Sequence, residues 1–119
     1  MKFENVYHWS PTKNREEILK NGLKIMMGEL EYDNPVTCKT ETWKPPYICT
    51  SLDPYTALIY VTPTFEDQVL PEMDLFIIKL SDTDQIRVRN DMTREIIEIR
   101  IMNSVESSRI KYLATRAED

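Results

Sequence analysis

In this chain of 119 residues, three groups of side chains are placed where they could move protons, grip rings or stabilise charge. The single histidine, His8, precedes Trp9 and Ser10 where a strand-like segment gives way to a helical one. A strand end is where a side chain reaches a ligand, and an imidazole there can donate or accept near neutral pH. A lone histidine is nevertheless more often a structural hydrogen-bonding residue, and it builds no metal site by itself. Tyr47, Ser51, Tyr55 and Tyr60 gather aromatic and hydroxyl groups around a strand-to-helix turn. Such a group suits stacking on a planar ring and holding its polar edge, although ordinary packing with a wet hydroxyl uses the same residues. Glu98 lies between Ile97 and Ile99, so it faces solvent, pairs with a neighbour such as Arg100, or points into a site. Glu95 is the competing carboxylate. There is no Gly-rich phosphate loop, GxSxG elbow, HExxH or paired-cysteine spacing. With only two glycines, backbone cradling of a phosphate has little support.

These side chains need elements to hold them. Phe3 to Trp9 mixes Val6, Tyr7 and Trp9 with polar residues, as a short strand entering a core does. Ser10-Pro11-Thr12 offers a hydroxyl cap for a helix from Lys13 to Leu23, with Glu16 and Glu17 early, Lys20 late and Gly22 as terminator. Lys24 to Pro46, interrupted by Gly28, Pro35, Pro45 and Pro46, reads as a loop with one extended piece. Tyr47 to Ser51 is a compact strand, and Asp53-Pro54 caps a helix carrying Tyr55, Ala57, Leu58, Ile59 and Tyr60. Thr62 to Glu72 is an exposed connection. Beyond Met73 four strands are expected, over 74–80, 85–89, 95–102 and 109–115, as antiparallel neighbours. The last pair is the clearest, because Ile97, Ile99 and Ile101 share one face while Ile96, Glu98 and Arg100 share the other.

The length suits one α+β domain spanning 1–119, with 116–119 as a frayed tail. No apolar run approaches a bilayer span, and the N-terminus lacks a signal-peptide core, so a cytoplasmic protein with no membrane partner is expected. Cys38 and Cys49 read as free thiols, and no metal is expected. A net charge of −5 weighs against binding extended nucleic acid. Local phosphate binding stays open, since Lys20, Lys24, Arg87, Arg89, Arg94, Arg100, Arg109 and Lys111 can place positive charge beside a cleft.

Taken in order, Tyr7-His8-Trp9-Ser10, a helix ending Asn21-Gly22-Leu23, Tyr47 to Ser51 with Ala57 and Tyr60, and Glu98 to Ile101 before Arg109 to Leu113 form a pattern. The pattern resembles the ADP-ribosyltransferase superfamily, in particular the His-Tyr-Glu branch of poly(ADP-ribose) polymerases and diphtheria-toxin-like enzymes. The resemblance implies split antiparallel β-sheets with about two short helices, and NAD as co-substrate for transfer of ADP-ribose to an unidentified acceptor. In that reading His8 bonds the adenosine ribose, Ser10 fixes the nicotinamide carboxamide, and Tyr47 or Tyr60 stacks on the nicotinamide. Glu98 stabilises the oxocarbenium-like charge, so His8, Tyr47 and Glu98 are the expected catalytic set. Two further functions fit the same resemblance: a non-catalytic nucleotide or ADP-ribose-binding module, and an RNA 2′-phosphotransferase-like enzyme using Arg87, Arg100 and Arg109.

Overall fold

The computed structural model describes residues 3–25, 30–43, 46–61 and 72–116, with backbone only at 30–32, 42–43 and 60–61. Residues 62–71 of the expected connection from Thr62 to Glu72, residues 117–119 of the expected tail and the Tyr60 side chain therefore lie outside the described residues, while Arg116, expected in the frayed tail, is the last residue of a strand and pairs with Met73. The architecture is α+β, with antiparallel sheets and few short helices.

Strand β1 (Asn5–Pro11) leads through a 3-10 turn at Thr12–Asn14 into helix α1 (Arg15–Asn21). The hydroxyl cap expected from Ser10 is not used there, since neither the turn nor the helix has a side-chain cap. Ser10 Oγ instead accepts from Asn14 Nδ2 at 3.3 Å. The helix stops where Gly22 takes φ 82° and donates its N–H to Ile18 O at 2.9 Å. Next come β2 (Leu30–Asn34) and β3 (Lys39–Trp43), which pair as a hairpin. This corrects the loop expected over 24–46. Its turn carries side-chain bonds: Asn34 Oδ1 accepts from Val36 N at 2.9 Å, and Thr40 Oγ1 donates across to Asp33 at 2.9 Å. The sequence of β3, Lys-Thr-Glu-Thr-Trp, has no apolar alternation on which a strand reading could rest, and that of β2 alternates over only four residues.

Strand β4 (Ile48–Thr50) is followed by α2 (Pro54–Thr56), which continues as a π-helical segment, Ala57–Val61. Asp53 caps it as expected, accepting from Thr56 N at 2.8 Å. The remaining strands are β5 (Met73–Lys79), β6 (Ile86–Asn90), β7 (Ile96–Ile101) and β8 (Ile110–Arg116).

The strands form one sheet ordered β1-β5-β8 and another ordered β4-β7-β6. The expected pairing of the last two strands is wrong, because β7 pairs with β4 and β6 while β8 pairs with β5. Between β7 and β8 the chain crosses from one sheet to the other, and Val105 in that connection bridges to Leu23 just past α1. Alternation assigns the faces of β7 correctly, yet it cannot say which strand lies beside it. A backbone bridge joins the two halves where Tyr7 and Ser51 exchange hydrogen bonds of 2.8 and 3.1 Å. One core spans both sheets: Val6, Phe76, Ile78 and Ile110 from the first join Ile48, Ile99 and Ile101 from the second, beneath Ile18 of α1.

A buried carboxylate fastens α1 to the first sheet. Asp74 of β5 is fully buried and takes two bonds from Arg15, at 2.7 and 2.9 Å, with further bonds from Thr12 and Thr115. The Arg15 guanidinium, with the two hydroxyls, holds the Asp74 carboxyl below its ordinary value against the opposing effect of burial.

Candidate functional site

Just beyond the Tyr7–Ser51 contact, the His8 side chain spans from β1 to β4. His8 Nδ1 lies 2.6 Å from the carbonyl oxygen of Cys49. A carbonyl only accepts, so Nδ1 carries the proton and neutral His8 keeps Nε2 as an acceptor. Burial pushes the imidazole below its ordinary value, with the bond to Cys49 O opposing the shift, so the neutral form is favoured. Trp9, the next residue, also ties the two halves together, donating from Nε1 to Pro54 O at 2.9 Å.

Cys49 faces a second partner. Its backbone oxygen receives His8, while its side chain lies on the face of the sheet that carries Glu98 of β7. Burial first, and then the Glu98 charge, push the thiol up to about 12. The register explains the encounter: Cys49 pairs with Arg100, so the residue two before Arg100 presents its side chain on the same face.

Glu98 is only 3% exposed, although a strand carboxylate on the non-core face would ordinarily be wet. Two arginines make its burial tolerable. Arg89 Nε from β6 and Arg100 Nε from β7 each donate to Glu98 Oε1 at 2.8 Å. Of the three readings open for Glu98, pairing is thus realised, and within a cluster rather than with one neighbour. Arg100 also lies over the Tyr47 ring, 4.4 Å from its centroid. Burial, ahead of the opposing charge of Arg100, raises the Tyr47 phenol and keeps it protonated.

The sequence-derived site residues fall out as follows. His8 is one bond from Cys49, Glu98 shares a face with the Cys49 side chain, and Tyr47 joins Glu98 through Arg100. Ser10 lies on the same face of β1 as His8, its hydroxyl accepting from Asn14 at the helix entrance. The backbone of Tyr60 is in the π-helical segment. Glu95 is exposed and starts the turn into β7, where its N–H bonds Asp91 Oδ1 at 3.0 Å. Glu98 and not Glu95 is therefore the carboxylate in the cluster. Of the three arginines considered for phosphate, Arg109 is committed to Asp84 and Glu106, with bonds from 2.6 Å.

Sequence reasoning missed Cys49 and Arg89 as members of this cluster. The available signal was the alternation of Arg87, Arg89, Glu98 and Arg100 opposite the isoleucines, but alternation identifies a face and not its cross-strand neighbours. Among the described residues no group of acidic, histidine and cysteine side chains could hold a metal ion. Nor is any described helix long and apolar enough to cross a membrane. Comparison with protein-family models, with curated proteins and with solved structures gave no match to this chain.

Proposed function

We propose that the region around the junction of β1 and β4 forms a nucleotide cleft of the ADP-ribosyltransferase kind, with NAD as donor and an unidentified acceptor. The observation that carries this reading is the place of Cys49 on β4, whose carbonyl bonds His8 and whose side chain shares a face with Glu98, so that groups ninety residues apart in sequence flank one residue. Split antiparallel sheets meeting beside that residue also agree with what the resemblance implies. In the proposed mechanism the free Nε2 of His8 accepts from a ribose hydroxyl. Tyr47 supplies a ring face beside the nicotinamide. Glu98 stabilises the positive charge that develops at the anomeric carbon as the glycosidic bond to nicotinamide breaks.

A second reading has its own support. Both arginines already compensate the Glu98 charge, which weakens its capacity to stabilise a nascent cation, and this favours a binding module without turnover. Nicotinamide release from NAD by the purified chain, with and without candidate acceptors, separates the two. Transfer predicts release that Glu98→Gln lowers by about 10²-fold or more, with NAD binding retained. Binding of NAD or ADP-ribose without release supports the module, and wild-type turnover in Glu98→Gln removes this carboxylate from the mechanism.

A further inference from the structure

The face of β6 and β7 that carries Glu98 holds more positive charge than that carboxylate can balance. Arg87 of β6 is the direct cross-strand partner of Arg100, and Arg89 is the partner of Glu98. Residues opposite one another in an antiparallel pair share a face, so three guanidinium groups lie together with this one carboxylate. The excess sits in a chain whose net charge is −5. Like charges directly opposite one another destabilise a sheet, so the Arg87–Arg100 pair counts against the fold unless something offsets it.

Nothing within the described residues does so. Arg87 is exposed and makes no hydrogen bond or ion pair there. Arg100 spends Nε on Glu98 and its ring-facing side on Tyr47, leaving its terminal nitrogens without a hydrogen bond among the described residues. Glu98 and Tyr47 hold that guanidinium in place, so binding an anion costs little further side-chain entropy. A planar fork fixed in this way matches two oxygens of a phosphate.

We infer that the β6–β7 face is a phosphate-binding site in which Arg100 and Arg87 grip the phosphoryl oxygens of a diphosphate, with Glu98 and Tyr47 as the frame that positions Arg100. The inference goes beyond the cleft reading, since it stands on the charge of this face whether or not NAD is the nucleotide. The diphosphate can be inorganic or part of a nucleotide, and the two share the same recognition chemistry.

Calorimetric titration of the full chain with pyrophosphate, ADP and adenosine at low and moderate NaCl tests it. Pyrophosphate and ADP are expected to bind, adenosine not, and the affinity should fall as salt rises. Arg87→Ala and Arg100→Gln should each weaken pyrophosphate about tenfold or more. Arg87 is exposed, so Arg87→Ala should fold, and without ligand its Tm should equal or exceed that of the wild type once the like-charge pair is gone. ADP binding far more tightly than pyrophosphate identifies a nucleotide as the source, whereas equal affinities identify the diphosphate alone. Failure of both anions to bind wild type, or unchanged affinity in both variants, overturns the site. Because no step needs NAD turnover, its failure is distinct from failure of the transferase reading.

Discussion

At the scale of single residues, the site rests on groups whose protonation the fold has altered. His8 is held below its ordinary value of 6.5 by burial, so an unfolded chain takes up a proton that the folded chain resists. Above that value both states are neutral at His8 and it contributes no pH dependence. As pH falls below it, stability should decline by up to about 1.4 kcal/mol per unit, levelling off once the folded imidazole also protonates. Urea unfolding at a series of pH values should show this slope, and His8→Gln should abolish it; an identical slope in the variant would refute the assignment. Cys49 gives an independent reading. Cys38 is exposed and Cys49 partly buried with its thiol pushed up to about 12, so a thiol reagent at pH 8 should modify Cys38 quickly and Cys49 slowly. Glu98→Gln removes a charge that raises the thiol while leaving both arginines, and should speed labelling of Cys49. Unchanged kinetics would mean that burial alone protects it.

At the scale of elements, the joints matter more than the strands. Gly22 ends α1 with a positive φ, and a Cβ there would collide with the carbonyl of Val105, which accepts from Leu23 N. Gly22→Ala should cost about 2–3 kcal/mol, through backbone strain and through disturbing the Leu23–Val105 bridge. A loss below about 0.5 kcal/mol in chemical unfolding would show that the joint yields freely. The cap on α2 is a milder case: Asp53→Ala removes the acceptor for both Thr56 N and Thr56 Oγ1 and should cost about 1 kcal/mol. Both joints were legible in the residues, as Asn-Gly-Leu and Asp-Pro, because caps and terminators are set by local stereochemistry. The β2–β3 hairpin was not, since its turn is an Asn34 side-chain arrangement with no Asn-Gly or Asp-Gly marker.

For the molecule as a whole, one core bridges the two three-stranded sheets, which among the described residues are joined in backbone by the Tyr7–Ser51 bridge, so the sheets depend on each other chiefly through side-chain packing. Ile99 is fully buried in that core, on the central strand of its sheet. Ile99→Ala should cost about 2–5 kcal/mol and should still unfold in one transition seen by fluorescence and circular dichroism together. Separate transitions would show two independent halves. Acid acts at this scale too. Asp74 is held below its ordinary value chiefly by Arg15, and Asp84, against burial, by Arg109, Ser81 and Asn103. Their stabilising contributions are present above about 3.9 and lost as pH falls through the folded values, well below the His8 range.

The sequence alone determined the period-two strands, the cap at Asp53, the stop at Gly22 and the paired faces of β7, because each follows from how neighbouring residues constrain one stretch of backbone. It also singled out His8, Tyr47 and Glu98 as the groups with chemistry to offer. Only the tertiary structure decided that β7 lies between β4 and β6 instead of beside β8, that the Cys49 carbonyl receives His8, and that Arg89 and Arg100 share one carboxylate oxygen. Cross-strand register depends on how residues far apart in sequence pack into one core, and no local pattern encodes it.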